Sequence, residues 1–197
     1  MNTRLLVLFL SLLSLTLGSC DRDLPTPHHT KAWLSQADGD RLTFRNATTG
    51  ATRTLQARVT DRTYSRAGKF DFRSKDFQII TLAYAPQALP DSDVLQLQFN
   101  GDGLVEMGYS VYNAFERCAF VDTHANTAKE LVYGTDLAEA ERLDNLRLDG
   151  RTYERVAHVT YADGMNMILE YWYSRTDGLV AFTEPTQTGP QTWYRVW

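Results

Sequence analysis

Several segments of the chain alternate apolar and polar side chains one for one. Between Thr54 and Val59, the residues Leu55, Ala57 and Val59 fall on one face and Gln56 and Arg58 on the other; Leu95, Leu97 and Phe99 do the same around Gln96 and Gln98. A period of two is that of a strand whose successive side chains point to opposite faces, one buried and one wet. Val105, Met107, Tyr109 and Val111 continue the pattern, and the Asn100-Gly101-Asp102-Gly103 run before them suits the turn of a hairpin. Asp-Gly pairs recur at 38–39, 102–103, 149–150, 163–164 and 177–178. Such pairs tolerate the positive φ that two-residue hairpin loops demand. The aspartates at 149, 163 and 177 stand fourteen residues apart, with Val, Tyr, Trp and Thr prominent between them, and these residue types fit a pleated surface. The last third of the chain therefore reads as an antiparallel meander that ends in the strand-like run Thr192–Trp197.

One segment departs from this rhythm. Thr135 to Asn145 is helix-like, with Thr135 or Asp136 as a cap and Asp136 and Glu139 at capping-box spacing. The expected fold is mainly β: an antiparallel meander of ten or so strands, closing as a barrel or stacking as a two-sheet sandwich, with one or two short helices around 122–145. Either architecture deals with open strand edges, which invite aggregation.

The stretch from Met165 to Ser174 carries the most suggestive surface. Met165, Met167, Leu169, Tyr171 and Tyr173 make one apolar face, and the opposite face holds Ile168 and Trp172 among Asn166, Glu170 and Ser174. That second face is too apolar to be fully solvated. Packing under a helix of the 122–145 connection accounts for Trp172 most simply. An exposed Trp with polar neighbours instead suits a glycan or protein contact, and in a barrel one of the faces lines an interior able to take an apolar molecule. Tyr171, Trp172 and Tyr173 are the candidate ligand-binding residues.

The first twenty residues follow a different logic. A positive charge at Arg4, an apolar run from Leu5 to Leu17 and the small residues Gly18 and Ser19 make the three parts of a secretory leader. The apolar run is shorter than the ~20 residues a permanent span needs. Leu17-Gly18-Ser19-Cys20 resembles the lipobox of bacterial lipoproteins: an aliphatic residue, two small ones and a cysteine. The resemblance implies a diacylglyceryl thioether on Cys20 and cleavage before it. The resulting division is a leader at 1–19, a lipidated tether at 20–30 and a single antiparallel β domain at 31–197. If Cys20 carries lipid, Cys118 is the one thiol left of the two cysteines. No internal disulfide can then form, and stability must come from burial. Cys118, set among apolar residues in FERCAFV, reads as a small buried hydrophobe, with Arg117 beside it as the feature a reactive thiol would use.

Charge and motifs narrow the chemistry. Lys and Arg number 20 against 24 Asp and Glu, and the basic run from Arg62 to Lys75 is interrupted by Asp71, so no concentrated basic face announces a nucleic-acid partner. No P-loop, G-x-S-x-G, H-E-x-x-H or C-x-x-C motif is present, and no cofactor is implied. His28 and His29 lie on the tether with no third metal ligand near. Asp122 with His124 forms the one acid–base pair suggested by proximity, and His158 reads as a hydrogen-bonded strand residue. Asn100, Asp102 and Glu106 lack the continuation of an EF-hand loop.

From 149 onward the chain resembles uncharacterised secreted or lipid-anchored β proteins of Bacteroidota, on Gly150, Tyr153, Val156, Tyr171, Tyr173, Gly178, Leu179, Val180 and Trp193. That resemblance implies strands, turns and a bacterial envelope address, with the outer membrane favoured, and no activity. The expected function is a lipid-anchored, non-enzymatic binding domain for a small-molecule, glycan or protein ligand. The rivals are a lipocalin-like carrier of an apolar molecule and a hydrolase using carboxylates or Asp122 with His124.

Overall fold

The computed structural model describes residues 24–67, 74–88, 94–100, 104–111, 114–122, 131–134, 138–161 and 168–197. One short helix, α1 (His28–Lys31), precedes the first meander: β1 (Arg41–Asn46), β2 (Thr52–Ala67), β3 (Ser74–Pro86), β4 (Leu95–Asn100), β5 (Leu104–Val111), β6 (Ala114–Asp122) and β7 (Leu131–Gly134). The second meander is β8 (Ala138–Leu148), β9 (Arg151–Tyr161), β10 (Glu170–Ser174), β11 (Gly178–Glu184) and β12 (Gln191–Val196). All pair antiparallel in one twelve-stranded sheet ordered β7-β6-β5-β4-β3-β2-β1-β12-β11-β10-β9-β8.

Connectivity forces this sheet to curl. Its two outermost strands, β7 and β8, are consecutive in the chain, and from Gly134 to Ala138 the backbone spans at most about 14 Å. Twelve strands laid flat would separate those edges by roughly 50 Å at ~4.8 Å per neighbour. The edges must therefore meet, and Cα atoms of β6 come within 8 Å of β8 and β9. The nine strands from β4 through β1 and β12 to β8 form a curled half-barrel wall around one core.

The alternation read from the sequence for β2 and β4 is the alternation of burial, with Val59 half-buried at the end of its run, and β1 shows the same pattern; the run 105–111 is described in its backbone only. Leu42 and Phe44 of β1, Leu55 and Ala57 of β2, and Leu95, Leu97 and Phe99 of β4 are all buried, and they share the core with Leu82, Tyr84, Val159, Tyr171, Tyr173 and Phe182 from the other strands. At the β8–β9 hairpin, Asp149 and Gly150 have φ of 45° and 82°, the two positive values of a type I′ turn, and Leu148 faces Arg151 across it. A smaller cluster of Tyr153, Val156 and Val180, with Leu143, Leu146, Leu148 and Trp172 against it, covers the outer face of β8 to β11. Val180 is left over where the register shifts opposite Trp172 and Tyr173.

Two expectations are corrected. The segment read as a helix is strand β8, paired with β9 along its length from Ala138–Tyr161 to Leu148–Arg151. A capping box contributes about 1 kcal/mol, whereas the ladder with β9 and the partial burial of Leu143, Leu146 and Leu148 act along the whole segment, so the tertiary partner overrides the local signal. Residues 123–130 and 135–137 lie outside the described residues. The tether, read as 20–30, also gives way to packing. Leu24 forms a parallel bridge with Phe77, and Thr26 and Thr30 are buried. From Leu24 onward the chain belongs to the domain.

Residues 24–40 form a strap that closes one end of the half-barrel. Trp33 is fully buried and stacks on Tyr173 at 6.4 Å, and Tyr173 donates its hydroxyl to the Trp33 carbonyl at 2.7 Å. Gln36 accepts from the Tyr84 hydroxyl and donates to the Asp177 carbonyl at 2.9 Å. Burial pushes the Tyr84 hydroxyl well above its usual pKa and the Tyr173 hydroxyl up to about 12, so both stay neutral donors. The strap needs a glycine opposite it: at Gly178 φ is +77°, and a Cβ would lie 2.1 Å from the Gln36 carboxamide. We predict that Gly178→Ala costs about 2–4 kcal/mol, from the left-handed backbone and the displaced Gln36 network. Urea denaturation measures it, and an unchanged midpoint would mean that Gln36 does not bear on this turn.

Candidate ligand-binding face

β10 sends its side chains alternately inward and outward. Tyr171 and Tyr173 are fully enclosed in the core, while Trp172 stands on the outer face, half-buried. The three residues singled out from the sequence therefore do not form one surface. Ile168, expected beside Trp172, is in the core instead, because β10 begins only at Glu170 and the alternation does not extend back to it. Met165 and Met167 lie outside the described residues.

Trp172 owes its position to cross-strand neighbours. Register places Glu141, His158, Trp172, Ala181 and Tyr194 in one row across β8, β9, β10, β11 and β12. The His158 and Trp172 rings stack with centroids 4.6 Å apart and planes within 5°. On the other side of Trp172, Ala181 is fully covered, so the outer face carries a continuous strip from the imidazole past Trp172 to half-buried Tyr194.

Carboxylates hold the imidazole at both nitrogens. His158 Nδ1 lies 2.8 Å from Glu141 Oε1, and Nε2 lies 3.1 Å from Glu170 Oε2. With both nitrogens engaged, the ring acts as a strut that ties β8, β9 and β10 together and fixes the indole plane. The second Glu170 oxygen accepts from Thr183 at 3.1 Å, and Thr183 reaches Thr192 at 3.0 Å. A line of acceptors and hydroxyls therefore runs beside the aromatic strip.

Two arginine–aromatic groups lie apart from this strip, the first on the inner face against the core rings of Phe182 and Trp193. Arg53 sits 4.6 Å and 4.5 Å from the ring centres of Phe182 and Trp193, and pairs with Glu184 at 2.9 Å. Its burial lowers its pKa, against the pull of Glu184. Glu184 also accepts from the Trp193 indole at 2.7 Å. Exposed Trp197 lies between Arg151 and Arg195, at 3.6 Å and 3.7 Å, and donates to the Tyr153 hydroxyl at 2.9 Å.

The remaining sequence candidates fall elsewhere. Cys20 and His124 lie outside the described residues, as does Asp102; Asp122, Glu106 and Cys118 are described in their backbone only, on β6 and β5. His28 and His29 open helix α1 and do not lie on an extended tether. Among the described residues no group of three His, Cys, Asp or Glu side chains is placed to hold a metal ion. The Glu141–His158–Glu170 strut was missed in the sequence because its members are 17 and 12 residues apart. A signal for half of it was present: a two-residue turn at Asp149-Gly150 puts residues equidistant from it opposite one another, and Glu141 falls opposite His158.

The architecture is that of an antiparallel β half-barrel with an aromatic outer face. No known protein family, curated protein or solved structure matches the chain.

Proposed function

We propose that this protein is a lipid-anchored component of the bacterial cell envelope, held at the outer membrane through Cys20, whose β domain binds a saccharide without chemistry through the outer face around Trp172. The observation that carries the binding half is the indole itself: it is partly open, its plane is set by the His158 stack, and the Glu170–Thr183–Thr192 line runs beside it. An aromatic face takes the C–H face of a sugar ring while neighbouring carboxylates and hydroxyls fix its hydroxyls. The filled inner face of the described strands favours this surface over an internal site for an apolar molecule. The Leu17–Cys20 pattern supports the anchor.

The test is a glycan array probed with the full chain, followed by titration of the sugars retained. Trp172→Ala is expected to weaken binding by at least about tenfold, as a central aromatic contact does. His158→Ala, which leaves the indole without its stack, weakens it less. Retention of no saccharide, or equal binding by Trp172→Ala, would remove this face from the function.

A further inference from the structure

On the proposed anchor, only three residues, 21–23, separate lipidated Cys20 from docked Leu24. Leu24 donates its N–H to the Asp76 carbonyl at 2.8 Å and accepts from the Gln78 N–H at 3.2 Å. Its bridge to Phe77 is parallel, so the N-terminal side of Leu24 is the side on which β3 begins, at Ser74 and the tip of the β2–β3 hairpin. Four Cα steps span at most about 14 Å. On that anchor the hairpin end is held close to the membrane, Leu24 lying within about two Debye lengths of the lipidated residue at physiological salt, ~8 Å each.

The hairpin is long and two-faced. β1 pairs with β2 only over Thr52 to Gln56, and β4 pairs with β3 only over Ile79 to Tyr84, so Asp61 to Ala67 and Ser74 to Gln78 overhang the rest of the sheet. Register sorts the overhang into two alternate sets. One pairs Arg62 with Ile79, Tyr64 with Phe77 and Arg66 with Lys75; the other pairs Asp61 with Ile80, Thr63 with Gln78 and Ser65 with Asp76. Every acidic residue of these pairs falls in the second set, where Asp61 accepts from Gln78 at 2.7 Å and Asp76 from Ser65. The first set is basic and aromatic, with Arg62 exposed and Tyr64 48% exposed.

We infer that this basic, aromatic set lies against anionic phospholipid headgroups beside the anchor and orients the domain on the membrane. Arg and Lys near an anionic surface are each attracted severalfold, and aromatic rings favour the headgroup level. Thr52 stands in the same cross-strand row as Trp172. It is twelve residues up β2 from Tyr64, on the order of 40 Å along the strand. Hairpin-down docking thus carries the Trp172 face away from the bilayer. This inference rests on lipidation of Cys20.

The test uses full-length lipidated protein with Cys118→Ser, carrying a fluorophore at Tyr64→Cys or, at the opposite end of the domain, at Thr48→Cys. It is placed in phosphatidylcholine vesicles with and without phosphatidylglycerol, with headgroup-level spin-labelled lipid as quencher. Quenching is expected at 64 and not at 48. It should depend on phosphatidylglycerol and be lost in ~1 M salt, where the Debye length is ~3 Å. R62E/R66E/K75E is expected to lose the quenching while keeping its fatty-acid label and membrane retention. Equal quenching at both positions, or none at 64, in protein that carries the label overturns the orientation and leaves the anchor standing. Absence of the label overturns both.

Discussion

Trp33→Ala is expected to lower the stability of the domain by roughly 3–5 kcal/mol, the cost of emptying a large, fully enclosed aromatic site. Trp33 belongs to no strand, yet its side chain has no exposed surface and joins the core that every strand of the half-barrel wall feeds, β8 only through half-buried Ala140. Its loss removes the stack on Tyr173 and loosens the carbonyl that accepts the Tyr173 hydroxyl. A buried hydroxyl without its partner adds a further penalty of about 1–3 kcal/mol where the strap cannot readjust. Trp33→Phe separates packing from polarity. The indole N–H is buried without a hydrogen-bond partner among the described residues, so phenylalanine discards an unsatisfied donor while keeping most of the ring. It is expected to cost well under half as much. Urea denaturation should show a lower midpoint for Trp33→Ala at unchanged slope. A midpoint equal to that of the parent would mean that the strap is not part of the cooperative unit.

Cys20→Ala is expected to move the protein from the membrane fraction to the soluble fraction and to abolish incorporation of a fatty-acid probe. The arithmetic of anchoring makes the effect close to all-or-none. At ~0.8 kcal/mol per buried methylene, one acyl chain holds a protein only marginally and two or three hold it stably, so on the proposed anchor the loss of a diacylglyceryl thioether removes the dominant attraction. The charges of the β2–β3 hairpin then supply only weak, salt-sensitive attraction. Fractionation and probe labelling check this together; full labelling of the alanine variant would place the lipid on another residue.

The reading of 165–174 shows how far one-dimensional pattern carries. Alternation correctly assigned Tyr171 and Tyr173 to the core, because a strand's side chains must alternate whatever it pairs with. It could not say what Trp172 would meet. That depended on which residues of β9 and β11 lie beside it, and a shift of one residue in register would have replaced His158 with a different neighbour. The 135–145 segment shows the reverse case. Its local signals favour a helix and its partner imposes a strand, since β8 forms ten register pairs with β9 and a helix there would leave the β9 edge bare. The strap was invisible for a related reason: Pro25, Pro27 and the polar residues around them carry no period, and only the open end of the half-barrel makes Thr26, Thr30 and Trp33 buried residues.

By itself, the amino-acid order determined the β class, the Asp149-Gly150 turn and the inward faces of β2 and β4, because each is a local property of neighbouring side chains and backbone angles. Tertiary structure alone decided that β1 and β12 join two meanders into one curled sheet, that residues 24–40 close its end, and that Glu141, His158, Glu170 and Trp172 meet. Those outcomes depend on strand order and register between residues far apart in the chain, where the free energy comes from shared burial and no single segment records it.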